Sequence, residues 1–394
     1  MVCMLVMQTY PPHIRKDTIL MSDTPKTSKA ALLVEHGAPD VIKEVPIPEL
    51  RPNCIIAKVL MAGICGTDVH QHNGTLEFKP PLPNIQGHET LGEIVELGEG
   101  RAFDIAGQPL KPGDRIMWAH PFCGECYYCK VHRKRYMCER SGAGYGFASP
   151  DLLLGGFSEY VYIGEVTEVV RVPDSVKDEE ALGVGCAFRT VVSGFERLQR
   201  HSAIGTADSV VVQGCGPIGL YSTLLASHSG AAKVIVVGAP ANRLALAREW
   251  GATHTINIDE IKDHAERAKM VRDLTDGRGA EFCIEAAGVP DAFLQGFDFL
   301  RKDSTYLVMG QTSTRTVAFM PNLLQQKQAC VIGSGGADAR HFYKALKFIE
   351  AHREKIDFSK IISSTYDLED INTALENMEK GADIKGAIDN RGRV

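Results

Sequence analysis

Four cysteines crowd the stretch HPFCGECYYCKVHRKRYMC: Cys123, Cys126, Cys129 and Cys138 fall within sixteen residues. Thiols at this spacing could hold a structural metal, form a redox or disulfide centre, or build a catalytic metal site. Four soft thiolates close a tetrahedral zinc site and leave no position for a substrate, which favours structure over reaction; an iron–sulfur centre would use the same ligand count. A second set is scattered: Cys65 in GICGTDVH, His88 and Glu89 in GHE, and Cys186 in GVGCAFRT. Two thiolates and one imidazole drawn from distant elements would leave a fourth zinc position open, the condition for catalysis. Taken singly, each of these residues is equally at home as a buried thiol or a surface histidine.

A third pattern lies in VVVQGCGPIG. Gly214, Gly216 and Gly219 form G-x-G-x-x-G, enclosing Pro217 and Ile218, between an apolar run that reads as a strand and one that reads as a helix. In that setting the first glycine makes the turn and the second lets the backbone approach a pyrophosphate. The third packs helix on strand, and the helix N-terminus faces the negative charge. An NAD site usually carries an acid at the end of the next strand to bind the ribose hydroxyls. Here that strand ends VIVVGAPANR, with Gly238 at the acid's place and Arg243 five residues on. No carboxylate repels a 2'-phosphate there, so the pattern points to NADP, or to use of both nucleotides. Arg243 also reads as an ordinary residue on a helix surface.

The elements that must position these groups fall into two textures. At 394 residues the chain exceeds the usual limit of one core, so two domains are expected. Residues 30 to 180 read as short strands broken by Gly and Pro turns (AKVLMAGICG, GEIVELGEG, LKPGDRIMW, GGFSEYVYI), the signature of a barrel-like β domain. After Pro173 strands alternate with helices (SVVVQ, AKVIVVG, AEFCIEAAG, STYLVMG), which predicts a doubly wound parallel sheet. The composition is 44% hydrophobic and 23% charged, with formal charge -6 and no long basic run, which argues against nucleic acid. No apolar stretch is long enough to span a bilayer, so no membrane partner is expected. Eleven cysteines, an odd number, with no secretory pattern at the start suit a reducing, cytoplasmic compartment.

Together, GICGTDVH, GHETLGEIVELGEG, the four-cysteine lobe, Cys186 and the glycine loop resemble the zinc-dependent medium-chain alcohol dehydrogenases, over nearly all of residues 30 to 390. The resemblance implies a GroES-like, β-rich catalytic domain plus a Rossmann-fold domain. The expected layout is a flexible extension over 1–28 and a catalytic domain over 29–183, with the zinc lobe at 120–138. A dinucleotide-binding domain over 184–345 follows, and a segment over 346–394 returns to the catalytic domain. Two zinc ions per subunit are implied: one catalytic, on Cys65, His88 and Cys186, and one structural, on Cys123, Cys126, Cys129 and Cys138. The last interval of the lobe is one residue longer than the family's usual pattern. Thr67 matches the hydroxyl that meets the substrate alcohol, and His70 the histidine that passes the proton outward. Asp68 matches the acid orienting the zinc histidine, and Glu89 the acid behind the metal. Lys385, in GADIKGAI, matches a basic residue that meets the cofactor pyrophosphate. Gly66 stands where some relatives have an arginine, which removes one phosphate contact. In this reading zinc lowers the pKa of an alcohol and nicotinamide accepts its hydride.

The expected substrate is a small alcohol or its carbonyl partner. Ala119 falls where many relatives carry a bulky residue, which makes room for a secondary or cyclic alcohol. Tyr145 and Phe147 are candidates to border the cleft; Phe188 and Arg189 follow directly on the implied zinc ligand Cys186, and Arg189 either meets an anionic or polyhydroxy substrate or caps structure. Alternatives within the same fold are polyol, sugar or amino-alcohol dehydrogenases and an aldehyde reductase; a nucleotide- and zinc-binding sensor is a different class. A homodimer or homotetramer is expected, with QACVIGS as a candidate edge.

Overall fold

The computed structural model describes residues 24–76, 81–140, 153–310 and 315–392. Tyr145 and Phe147 lie outside the described residues, as does the extension up to residue 23. The extension expected over 1–28 overlaps the first strand, Thr27–Leu33, which pairs antiparallel with Val41–Pro46.

The first domain is built on the strand Ile55–Gly63, whose sequence IIAKVLMAG is buried almost throughout. Glu89–Leu97 and Tyr160–Ile163 pair with it, both antiparallel. Arg115–Trp118 and Val169–Arg171 extend the sheet on the far side of Glu89–Leu97. The strand Gly386–Asp389, from beyond the second domain in sequence, pairs with Met61–Gly63, and Ser364–Tyr366 pairs parallel with it at the edge of this sheet. An apolar core of Ile55, Ala57, Val59, Ile94, Ile116, Phe157 and Ile388 fills its interior.

The second domain is a six-stranded parallel sheet in the order His254–Asn257, Lys233–Gly238, Ser209–Gln213, Ala280–Glu285, Leu300–Val308, Cys330–Gly333. Ser209–Gln213 (SVVVQ) is buried at every position, as a central strand covered on both faces must be. The helix Pro217–His228 follows it directly, with Pro217 in the first turn, where a missing N–H costs nothing.

Between the domains lies a short π-type turn, Val184–Phe188, that runs straight into the helix Arg189–His201. Such turns recur at functional positions because they re-aim one side chain, and this one carries Cys186. Phe188 is fully buried and stacks on Tyr221 of the dinucleotide helix at 4.4 Å between ring centroids. It therefore anchors the turn to the second domain. The boundary expected after residue 345 falls inside the continuous helix Ala339–His352, which packs on Arg189–His201.

Candidate active site

Cys65 occupies the N-cap position of the helix Gly66–His72 and His88 immediately precedes the strand Glu89–Leu97, while Cys186 sits in the π-type turn. The fold gathers these three with Glu89 so that one ligand atom from each lies within 4.8 Å of the others. Gly185 makes the approach possible: a Cβ there would stand 2.8 Å from the Cα of Glu89.

Asp68 organises two of the ligands. Its carboxylate accepts the Cys65 N–H at 2.9 Å and sits 3.1 Å from His88 Nδ1. Gln86 Nε2 donates to the Asp68 carbonyl at 2.8 Å, tying the helix to the segment before His88. With Nδ1 on Asp68, Nε2 is the His88 atom that would ligate a metal, the arrangement that fixes a ligating imidazole. Burial opposes the charged ring, but Asp68 and both thiols hold His88 well above its ordinary value in the metal-free pocket. Cys65 is held well below its ordinary value by its bond to Cys186, against the cost of burial and helped by His88 and Lys385.

Glu89 is fully buried. One of its oxygens, Oε2, accepts from Lys385 Nζ; the other, Oε1, is buried without a hydrogen-bond partner. An orphaned carboxylate oxygen beside two thiols and an imidazole is what a divalent cation would satisfy. Lys385 departs from the expectation placed on it. Its ammonium is 1% exposed and spent on Glu89, so it is not free to reach a pyrophosphate. Burial opposes its charge, yet the Glu89 carboxylate keeps it pushed up to about 12.

Thr67 lies in the first turn of the same helix, its hydroxyl 3.8 Å from Cys65 Sγ. His70 stands one turn on, partly exposed, with Nδ1 3.0 Å from Thr75 Oγ1. His120, which carried no reading in the sequence, and Arg189, read there as either a substrate contact or a structural cap, join the group. His120 packs edge-on against His88, with ring centroids 5.7 Å apart. Arg189 is 2% exposed and bonds Gly185, Ala337 and His120, so it braces structure and is not presented to a substrate. Ala119 is 5% exposed, next to His120 at the end of a sheet strand.

The cysteine lobe is a separate, closed centre. Sulfur separations are 3.5 Å for Cys126–Cys129 and Cys123–Cys138, and 3.9 Å for Cys123–Cys129 and Cys126–Cys138. A tetrahedron with metal–sulfur bonds of ~2.3 Å has edges of about 3.8 Å, whereas a disulfide bond is ~2.05 Å. The four thiols are therefore spaced for one metal ion, and the longer last interval is absorbed. Backbone N–H groups of Glu125 and Cys126 donate to Cys123 Sγ, and those of Cys123 and Arg140 to Cys138 Sγ. The Glu139 N–H, opposed by burial and helped by neighbouring donors, holds Cys126 down to about 6.

In the glycine loop, Gly214 adopts φ +93° and a Cβ at Gly219 would collide with the Gly214 carbonyl at 2.1 Å. Nothing lies within 4 Å of a Cβ at Gly216, which leaves its backbone open to a ligand at the N-cap of Pro217–His228, the helix containing Ile218. Such a cradle of backbone N–H groups fits a pyrophosphate. Gly238 ends its strand against Cys215, whose sulfur would be 2.8 Å from a Cβ at residue 238. Arg243 donates through Nη2 to the carbonyls of Gly381 at 2.8 Å and Asp383 at 2.5 Å, so it tethers the segment that carries Lys385. Glu285, at the end of the neighbouring strand, accepts the N–H groups of Ala287, Gly288 and Gly310 and fixes the loops beside the glycine turn.

An open Cys–His–Cys site at the junction with a dinucleotide-binding sheet defines a class, and comparison with known proteins agrees. The chain belongs to the zinc-binding alcohol dehydrogenase family: residues 51–174 match the alcohol dehydrogenase GroES-like domain and residues 217–351 the zinc-binding dehydrogenase domain. It is similar to 5-exo-hydroxycamphor dehydrogenase of Pseudomonas putida, 31% identical over 364 residues, covering 92% of this chain and 98% of that protein. Sorbitol dehydrogenase of Halalkalibacterium halodurans is 28% identical, with 91% and 98% covered. Among solved structures, an alcohol dehydrogenase of Thermotoga maritima superposes with TM-score 0.83 at 34% identity, covering 92% of this chain and 99% of its own. The protein is a zinc-dependent, NAD(P)-linked alcohol/aldehyde oxidoreductase. No helix among the described residues is long and apolar enough to cross a membrane.

Proposed function

We propose that the protein interconverts a secondary or cyclic alcohol and its ketone. The observation that carries the reading is the four-donor cluster of Cys65, His88, Glu89 and Cys186 with one carboxylate oxygen unpartnered. Cys65, His88 and Cys186 would hold zinc, which when bound lowers the pKa of an alcohol or polarises a carbonyl. Thr67 receives the hydroxyl proton and His70, one helical turn away, carries it toward solvent. Asp68 keeps His88 oriented, and Lys385 keeps Glu89 in place behind the metal. The loop Gly214–Gly219 holds the cofactor's pyrophosphate on backbone N–H groups, and the other cysteine set holds the structural zinc.

The small Ala119 supports a ring-sized substrate, as does the likeness to an enzyme named for a hydroxycamphor. The lack of an acid at Gly238 supports acceptance of NADP. Arg243 would meet a 2'-phosphate only by exchanging its carbonyl partners. The likeness to a sorbitol dehydrogenase supports polyols as a second reading. Assembly into dimers or tetramers would use the outer strand Cys330–Gly333, where Val331 is 38% exposed. Metal content and turnover are to be measured on wild type and Cys65→Ala, with NAD and NADP, against cyclohexanol, ethanol and sorbitol. Two zinc ions and faster cyclohexanol turnover are expected of the wild type; a clear ethanol preference refutes the pocket assignment, and sorbitol as the best substrate selects the second reading.

A further inference from the structure

Arg189 is a buried guanidinium that contacts the Cys186 thiol and donates to three further acceptors, none of them a carboxylate. Nε donates to the Gly185 carbonyl at 2.6 Å, Nη1 to the Ala337 carbonyl at 3.2 Å, and Nη2 to His120 Nε2 at 2.9 Å. Its face also lies on the Phe342 ring, 4.6 Å from the centroid. Burying a cation in this way is expensive unless the geometry it imposes is needed. The three acceptors belong to three separate segments. Gly185 adjoins the ligand Cys186. Ala337 lies in the link between the outer strand of the cofactor sheet and the helix Ala339–His352. His120 is the root of the cysteine lobe, three residues before Cys123.

His120 carries the connection onward. Because Nε2 accepts from Arg189, the neutral ring bears its proton on Nδ1. The ring makes a hydrogen bond to the main chain of His88 and lies edge-on to the His88 imidazole. The Ala337 link is itself pinned by the lobe, since the Tyr136 N–H donates to Asp338 Oδ1 at 3.2 Å. A continuous path therefore runs from the Cys186 turn, through Arg189 and His120, to the backbone of His88. Cys186 and His88 come from elements far apart in sequence; their side chains meet at the cluster, and this path ties the segments that carry them together behind it.

We propose that Arg189 and His120 are positioning residues that hold the Cys186 turn in register with His88, and so set the grip of the catalytic site on zinc. The proposal rests on the reading of Cys65, His88 and Cys186 as zinc ligands. It assigns to the lobe root a part in the open site as well as in the closed one. Arg189 and His120 touch no substrate in this role, so their effect falls on metal retention and kcat, with cofactor affinity unchanged.

The test is zinc release from the full-length holoprotein into a chromogenic chelator, for wild type, Arg189→Ala, His120→Ala and His120→Gln. Cofactor affinity is read in parallel from nicotinamide fluorescence. Loss of an outer partner of this kind typically weakens metal binding about 10–100-fold. Arg189→Ala and His120→Ala are expected to release one of the two zinc ions faster by that factor, while the second leaves at the wild-type rate. His120→Gln, whose amide oxygen still accepts from Arg189, is expected to return to within a few-fold of wild type. Equal release in all variants, or equal acceleration of both ions, overturns the proposal. If Arg189→Ala does not fold, the contrast between His120→Ala and His120→Gln decides it. A wild-type protein with a single zinc overturns the ligand assignment itself, which is a different failure from two ions with unaltered release.

Discussion

The two candidate metal centres of this protein are built in opposite ways. The cysteine lobe takes all its donors from one stretch, Cys123 to Cys138, and closes them on each other with local backbone N–H groups in support. The proposed catalytic cluster draws Cys65, His88 and Cys186 from three elements and is braced by Asp68, Lys385 and Arg189 from as many places. A closed local centre needs little of the rest of the fold and contributes stability. A dispersed centre exists only once the fold has assembled it, and keeps a coordination position open for chemistry.

The comparison is sharpened most by removing one ligand from each centre. Cys65→Ala is expected to cut kcat/KM by roughly 10³-fold or more, the loss of several kcal/mol of transition-state stabilisation, with one zinc retained by mass spectrometry. Next comes Lys385→Ala, which leaves the buried Glu89 carboxylate without its partner. Such removals cost ~3–5 kcal/mol, to be read from denaturant unfolding, and Lys385→Arg should recover most of it. Cys129→Ser is expected to do the reverse of Cys65→Ala. The melting temperature should fall by roughly 5–10 °C, while the protein that remains folded keeps most of its kcat. Equal losses of activity in Cys65→Ala and Cys129→Ser would break the distinction between the centres.

The smallest effect belongs to a site remote from both metals. The His264 ring bonds Asp298 at 2.9 Å and, against partial burial, holds its carboxyl below the ordinary range. A depressed carboxyl adds stability above its unfolded pKa and loses it as the pH falls through the folded value. Asp298→Asn should therefore cost about 0.5 kcal/mol or less at neutral pH, given the exposure of the pair, with the difference from wild type vanishing in acid. Both zinc ions should stay bound.

Legibility in the sequence followed the same division. The lobe is readable because its donors are neighbours in the chain, and their spacing alone bounds the geometry. The glycine loop is readable because strand, turn and helix are contiguous. The α/β architecture follows from the alternation of elements after Pro173. Cys65, His88 and Cys186 are weak signals taken singly, and their grouping came from family resemblance. What could not be read depends on tertiary placement. Nothing in GADIKGAI says that Lys385 will meet Glu89, 296 residues away, or that Arg243 will be held by the carbonyls before it. His120 carried no signal beyond its place beside the lobe. The burial of Arg189, at the start of the helix that follows the π-type turn, rests on partners from distant segments and removes it from the substrate contact the sequence left open.

The strand Gly386–Asp389 has a further consequence for how the molecule comes into being. It follows the whole cofactor domain in the chain, yet it lies beside Ile55–Gly63 and brings Lys385 to Glu89. During synthesis the four lobe cysteines emerge early, and the lobe is able to bind a metal as soon as Cys138 is clear. The catalytic sheet must then wait for more than half of the protein to be translated before its missing strand arrives. The reaction centre is thus the last part of the enzyme to be finished, and a nascent chain stays inert until its cofactor domain has been made.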